Sequence, residues 1–150
     1  MKKVKYLFYT GMLSILMFVL NGCEKYDEGG FIFKTEKKLK ANTWKLSKYL
    51  VDGVDVTNSI LISNYEENYE PNYSRTYIDK KGEVNNEIGN WTFDKSNKKI
   101  KISGVSSIDI TDKSGSISSS YFNILKLDKD EFWYYFENGS EKHEFHFIKK

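Results

Sequence analysis

NWTFDKSNKKIKIS (residues 90–103) contains the pattern that decides the fold. Trp91 and Phe93 alternate with polar residues before the run DKSN, and Ile100 and Ile102 do the same after it. Such alternation is typical of a strand that has one buried face and one wet face. Asp and Asn favour turns because they tolerate positive φ and their side chains bond the local backbone. The stretch therefore predicts an antiparallel hairpin.

Turn signals of this kind follow one another along the chain, from Asp52-Gly53 to Asn138-Gly139. Connections this short favour antiparallel neighbours and leave no room for crossover helices. If Gly104 marks a bulge, the fourth and fifth predicted strands form one bent strand, and seven strands remain instead of eight. The predicted strands are 43–51, 73–78, 83–93, 98–103, 106–111, 116–127, 131–137 and 142–148.

A meander of β-strands has exposed edges unless it closes, so the sequence predicts an all-β, up-and-down antiparallel barrel of about eight strands. Four stretches resemble, in the same order, the strands of the lipocalin-like lipoproteins of Bacteroidetes. They are LKANTWKLSKYLVDG (39–53), RTYIDKKGEV (75–84), GNWTFDKSNKKIKI (89–102) and FNILKLDKDEFWYYF (122–136). The resemblance implies a barrel domain over 41–150, either filled by side chains or holding one small apolar or amphipathic molecule.

Two positions near the start of the barrel domain relate to its closed end. The resemblance implies that Trp44 packs there as a structural plug. Asn42 stands where lipocalins usually have a glycine, so we expect the closed end to be built differently.

Aromatic residues in the apolar phase of their strands are candidates for lining a ligand cavity, with plain core packing as the alternative. These candidates are Trp91, Phe93, Tyr134, Phe136 and Phe145.

The connection over 54–72 is long for a compact domain, and such loops tend to be lids, binding loops or disordered segments. Leu61, Tyr65 and Tyr69 fall four apart, which is consistent with a short helix that has one apolar face. In lipocalin-like barrels the first long loop lies over the mouth, so the resemblance makes these three residues gate candidates. An ordered surface loop is the alternative.

The stretch EFWYYFE (131–137) is aromatic on both faces of a strand. Trp133 and Tyr135 are either covered by 31–33 or 54–72, or form a patch for a partner. The second case defines an alternative function. In it, a non-enzymatic envelope or cell-surface protein with a filled barrel docks on an envelope protein through the aromatic strand at 131–137.

Signals for catalysis, metals or nucleic acid are weak. His143 and His146 lie an odd number of residues apart on a strand, so they point to opposite faces and do not suit a metal. Three of the 23 basic residues precede Cys23, which leaves 20 basic against 21 acidic residues after it. This near-neutral balance provides no electrostatic footprint for nucleic acid. We expect neither an enzyme nor a cofactor.

The chain begins with three lysines and an apolar run over 7–20, which is typical of a secretory signal. Leu20-Asn21-Gly22-Cys23 resembles the bacterial lipobox. The resemblance implies a signal peptide over 1–22, a diacylglycerol on Cys23 and a lipid-anchored tether over 23–40. A free or buried thiol after an ordinary signal is the alternative.

Lys25, Asp27 and Glu28 follow the cysteine closely. They resemble the export signal of Bacteroidetes surface lipoproteins, and a polar tether is the alternative. We therefore expect an outer-membrane protein, anchored by lipid at the cell surface or on the periplasmic face.

We predict that Cys23→Ala moves the protein from the detergent phase to the soluble fraction, because the anchoring acyl chains are lost. Phase partitioning and the mass of the wild-type protein check this. An alanine variant that stays with the membrane, together with a wild type that has no acyl mass, would contradict lipid anchoring.

Overall fold

The computed structural model describes residues 24–108, 110–111 and 121–150. Cys23, the predicted signal peptide and the predicted strand residues 116–120 lie outside this part of the chain. Within it, the structure has one α-helix, one 3-10 helix and nine strands. They are α1 (Thr35–Lys40), β1 (Trp44–Val51), β2 (Val54–Asp55), the 3-10 helix (Thr57–Ser59), β3 (Ser63–Asn68), β4 (Tyr73–Ile78), β5 (Val84–Phe93), β6 (Lys99–Ser103), β7 (Tyr121–Leu127), β8 (Glu131–Asn138) and β9 (Glu141–Lys149).

The strands form one antiparallel sheet that closes through the pairing of β1 with β9. This pairing runs from Trp44 opposite Lys149 to Val51 opposite His143. On its other side, β1 pairs with β3 at its start and with β2 at its end. The described wall therefore consists of β1 and β3 to β9. The prediction of an all-β, up-and-down antiparallel barrel of about eight strands is confirmed.

Strand β3 occupies the region where the helical face was predicted. Tyr65 and Glu67 are buried while the residues beside them are more exposed, as the period of a strand requires. The helix with Leu61, Tyr65 and Tyr69 on one face was therefore wrong. A spacing of four residues puts side chains on one face of a strand as well as of a helix. The short helix expected after the first strand is the 3-10 helix Thr57–Ser59.

The two ends of the barrel differ. At the end where β1 begins, which we call the closed end, Trp44 is fully buried and its Nε1 donates a hydrogen bond to the Leu39 carbonyl at 2.9 Å. Asn42 Nδ2 donates to the Lys129 carbonyl, in the turn between β7 and β8, at 3.2 Å. Trp44 is thus the structural plug that was predicted, and Asn42 adds a hydrogen bond at this end of the barrel.

The opposite end, where β1, β4 and β6 finish, is the mouth. The predicted strand over 106–111 is not part of the described wall, because β6 ends at Ser103 and Gly104 follows with a φ of 80°. Instead, residues 105–108 and 110–111 lie against the mouth, and we call them the cover. Ile108 and Ile110 alternate as predicted, but their buried face packs on the barrel core.

The segment 24–40 is folded onto the closed end and is not a loose tether. Tyr26 is buried, and its hydroxyl donates to the Asn97 carbonyl at 2.8 Å. The Glu28 amide donates to the Leu125 carbonyl at 2.9 Å, and Leu39 of α1 is fully buried. The predicted boundary at residue 41 therefore places the start of the folded unit too late.

We predict that Gly30→Ala detaches this segment from β7. A Cβ on Gly30 would lie 2.3 Å from the Leu127 carbonyl oxygen, and its φ of +86° already disfavours alanine. Alanine at positive φ destabilises by about 1 kcal/mol or more, and the clash adds to this. Hydrogen exchange of the Glu28 amide checks the loss of its bond to Leu125.

Gly29→Ala is the matched control. Gly29 also has a positive φ, but a Cβ there meets no atom within 4 Å. Equal protection of the Glu28 amide in both variants would show that the close approach to Leu127 does not hold the segment in place.

Candidate functional site

A carboxylate is buried in the middle of the barrel. Glu67 is 1% exposed, and its Oε1 accepts hydrogen bonds from the hydroxyls of Tyr65, Tyr73 and Tyr134 at 2.8, 2.9 and 2.8 Å. Its Oε2 accepts a hydrogen bond from the Tyr69 hydroxyl at 2.6 Å. We call Glu67 and these four tyrosines the tyrosine cluster.

Strand periodicity brings this cluster together. Tyr65 and Glu67 are two residues apart on β3 and so share its inner face. Tyr73 is an inward residue of β4, and Tyr134 reaches the carboxylate from β8, which is not a neighbour of β3 in the sheet. The hydrogen bonds therefore connect separate parts of the barrel wall through its interior.

Burial and hydrogen bonding have opposite effects on the pKa of this carboxyl group. The pKa of Glu67 is raised overall, because burial outweighs the hydrogen bonds from the four tyrosines, which lower it. Burial, together with the Glu67 charge, raises the pKa of Tyr69, Tyr73 and Tyr134 well above the ordinary value. The hydroxyls thus remain protonated and act as donors. A buried charge is tolerated only when it is hydrogen-bonded in this way.

Two further charged residues, Arg75 and Glu87, lie on the next two strands after that of Glu67, between the tyrosine cluster and the cover. Glu67 lies opposite Arg75 across β3 and β4, and Arg75 lies opposite Glu87 across β4 and β5. Arg75 is buried, and its Nε and Nη2 donate to Glu87 Oε2 at 3.0 and 2.6 Å. Opposite charges directly across neighbouring strands stabilise a sheet. The interior therefore contains three charges of alternating sign on neighbouring strands.

The cover is hydrogen-bonded to the side chains of Arg75 and Glu87. Arg75 Nη2 donates to the Ser106 carbonyl at 2.5 Å, and the Ser106 amide donates to Glu87 Oε2 at 3.1 Å. On the other side of the mouth, the Leu61 amide donates to the Ile110 carbonyl at 2.8 Å. The cover is thus held by the partly buried ion pair of Arg75 and Glu87 and by the loop before β3.

A second buried pair lies near the mouth on β1 and β9. The Tyr49 hydroxyl is 2.8 Å from His143 Nδ1, and Phe136 stacks on the imidazole with ring centroids 4.8 Å apart. His143 Nε2 is 3.5 Å from Glu141 Oε2 and has no hydrogen-bond partner in the described part of the chain. His146 lies on the outer face beside Trp133. The prediction that His143 and His146 face opposite ways is confirmed.

The five predicted ligand-lining residues all contact one core, as their strand phases require. Tyr134 and Phe145 lie deep in it, with ring centroids 5.0 Å apart, and Phe136 lies near the mouth. Trp91 and Phe93 lie towards the closed end and border an open groove of about 550 Å³ beside α1. The structure thus distributes the five along the whole barrel. Their contact with a ligand stays a prediction.

The gate candidates separate in the structure. Tyr65 and Tyr69 belong to the tyrosine cluster, so they lie inside the barrel and not over its mouth. Leu61 lies at the mouth, where it lines a cavity of about 150 Å³ together with Ile62, Tyr77 and Ile108. Of the three candidates, Leu61 alone borders the cover.

Sequence reasoning missed Glu67, Arg75 and Glu87 because each stands beside polar residues that give no sign of burial. A usable signal was present, since Glu67 lies between Tyr65 and Tyr69 at a spacing of two. Side chains at that spacing share a strand face, so a charge between two buried aromatics is itself buried. Arg75, between Tyr73 and Tyr77, follows the same pattern.

The outer face of β8 is covered by its own neighbours. The Trp133 ring stacks on His146 at 4.1 Å, and Lys126 Nζ lies 4.5 Å from the Trp133 ring centroid. Lys142 Nζ lies 4.4 Å from the Tyr135 ring centroid. Two arrangements were predicted for Trp133 and Tyr135: contact with 31–33 or 54–72, or an uncovered patch. The contacts in the structure differ from both.

The described part of the chain has neither a cluster of metal ligands nor a helix that could span a membrane. No group of three or more His, Cys, Asp or Glu side chains there could hold a metal ion. No helix of that part has the length and apolar character needed to cross a bilayer.

Comparison with known proteins finds a likeness to solved structures only at the level of the fold. No family model matches the chain, and no curated protein matches it. A lipocalin-like protein from Bacteroides uniformis ATCC 8492 is similar, with 17% identity and a TM-score of 0.46, over 75% of this chain and 99% of that one. At this identity and TM-score, the likeness does not indicate a function for the chain.

We predict that Tyr134→Phe destabilises the protein by about 1.5–3 kcal/mol, because a buried carboxylate loses one of its donors while the ring still packs. Urea unfolding measures the change. Tyr135→Phe, on the opposite face of β8, is the control and should change the free energy of unfolding by less than about 0.5 kcal/mol. Equal effects of the two substitutions would contradict the role of the hydroxyl.

Proposed function

We propose that the protein is a membrane-anchored, lipocalin-like binding protein that takes a small amphipathic molecule at the covered mouth of its barrel. This proposal is supported by the parts of the chain that provide the side chains inside the barrel. Around Glu67 they come from the wall and its adjoining turns, whereas at the mouth Ile108 and Ile110 come from the cover. A ligand could replace the cover without disrupting the wall.

The cavity beside the cover supports the mouth as the point of entry. Its volume of about 150 Å³ corresponds to about five water molecules, given a share of about 30 Å³ each. Ile108 forms part of its boundary with the cover, and Tyr77 forms part of its boundary with the wall. Displacement of Ile108 would join this cavity to the space that the side chain now fills.

The polar contacts of the cover suggest the chemistry of the ligand. The peptide groups of Ser106 accept a hydrogen bond from Arg75 and donate one to Glu87. When the cover moves, both side chains need replacement partners, because unpaired buried polar groups are costly. A ligand head with an acceptor and a donor side by side, such as a carboxamide, would satisfy both. An apolar tail would occupy the positions of Ile108 and Ile110.

Docking through the aromatic strand at 131–137 is the other candidate function. It is less well supported, because lysine and histidine side chains lie over Trp133 and Tyr135. The anchoring part of the proposal depends on the signal-like N-terminus and the lipobox resemblance at Cys23. We propose no enzymatic role.

We predict that Ile108→Ala strengthens the binding of an apolar fluorescent probe, because it enlarges the cavity at the mouth. The loss of buried methyl groups costs about 2–5 kcal/mol of stability, so circular dichroism should first show that the variant is folded. Titration with N-phenyl-1-naphthylamine then compares its dissociation constant with that of the wild type.

Ile88→Ala is the control, since Ile88 is 74% exposed on the outer face of β5. It should leave probe binding unchanged. If the folded Ile108→Ala variant and the wild type both fail to bind the probe, the mouth is not a binding site, and docking through 131–137 is favoured.

A further inference from the structure

Two phenylalanines of the N-terminal segment are exposed beside three lysines. Phe31 and Phe33 are 47% and 63% exposed. Lys25 Nζ lies 4.8 Å from the Phe31 ring centroid, and Lys34 Nζ lies 4.9 Å from the Phe33 ring centroid. Lys38 Nζ donates to the Phe31 carbonyl at 2.5 Å. We call these five residues the aromatic-lysine patch.

This patch is held in a fixed place on the barrel. Lys25 and Phe31 form an isolated antiparallel bridge, and the Ile32 amide donates to the Glu24 carbonyl at 2.8 Å. The Glu28 amide is bonded to β7, as described above. The position of the phenylalanines relative to the start of the described chain is therefore set by backbone hydrogen bonds.

That geometry limits how far the patch can lie from Cys23. Bridged Cα atoms lie about 5 Å apart, and each residue of chain spans at most about 3.6 Å. Lys25 is two positions along the chain from Cys23, so the Cα of Phe31 can lie no further than about 12 Å from the Cα of Cys23. If Cys23 is acylated, its sulfur lies at the edge of the hydrocarbon region. The headgroup layer beyond that edge is about 5–8 Å thick on each side of the bilayer.

We propose that the aromatic-lysine patch is a phospholipid-contact surface that places the closed end of the barrel on the membrane. This inference rests on the proposed anchoring at Cys23. The phenyl rings suit the headgroup–hydrocarbon boundary, and lysine side chains reach from there to lipid phosphates. The nearby carboxylates of Glu24 and Glu36 are paired with Lys98 and Lys40, at 2.5 and 2.8 Å. Asp27 and Glu28 are exposed in the same segment, where their charges act on Lys98 and Lys126. Lys25 and Lys34 form no ion pair within the described part of the chain, so both are available to phosphates.

The test uses a single fluorophore on the acylated full-length protein. Acylation consumes the thiol of Cys23, which is the one cysteine of the chain, so Phe33→Cys provides a unique site for a thiol-reactive nitrobenzoxadiazole label. The labelled protein is reconstituted in vesicles of phosphatidylcholine and phosphatidylglycerol. Quenching by aqueous iodide and by nitroxide-labelled lipid is then measured.

Val84→Cys is the matched control. Val84 is also 63% exposed, and it lies at the mouth end of β5, about 30 Å along the strand from the turn that contacts Tyr26. We expect the Phe33→Cys label to lose most of its iodide quenching and to gain lipid quenching. The Val84→Cys label should remain open to iodide and unaffected by the lipid quencher.

Mass spectrometry of the same samples separates two kinds of failure. Acylated protein whose Phe33→Cys label stays open to iodide would overturn the lipid-contact surface and leave the anchor standing. Shielding in native membranes but not in pure lipid vesicles would also overturn it, and would indicate a protein partner. Absence of acylation would overturn the anchor, and this inference with it.

Discussion

The hydrogen bonding of the Glu67 carboxylate is the constraint on which the interior of the barrel depends. A buried charge needs its donors, and these come from β3, β4, β8 and Tyr69 in the turn between β3 and β4. A ligand that entered this region would have to displace a tyrosine hydroxyl and leave the carboxylate short of a partner. Because of this cost, the binding site that we propose lies at the mouth and not in the middle of the barrel.

The proposed binding site and the proposed membrane surface lie at opposite ends of the barrel. The N-terminal segment packs beside Asn97 and Leu125, near the closed end, whereas the cover lies at the end where β1, β4 and β6 finish. With the closed end on the bilayer, the mouth would face away from the membrane. A molecule would then reach the cover from the aqueous side, which suits an amphipathic ligand better than a lipid drawn directly from the bilayer.

The sequence predicted the strands whose apolar residues alternate clearly, including β4 and β5 with their inward Arg75 and Glu87, but missed β3. β5 and β6 were found because Trp91, Phe93, Ile100 and Ile102 alternate cleanly. β3 was missed because Glu67 interrupts the apolar phase, and its burial depends on tyrosines that are distant in sequence. Alternation also cannot tell a strand of the wall from the cover, since both bury every second side chain. Likewise, the lysines of 34–40 concealed the burial of Leu39, which depends on packing against the barrel.

The closure of the barrel by β1 and β9 pairs Trp44 with Lys149, which lies 105 positions further along the chain. During synthesis the described wall therefore remains open until β9 has been made, since β9 is the strand that pairs with both β1 and β8. Contacts between such distant residues slow folding, and a chain without β9 leaves unpaired edges on β1 and β8. Premature termination would thus yield an open sheet prone to pairing with other chains, and not a smaller barrel.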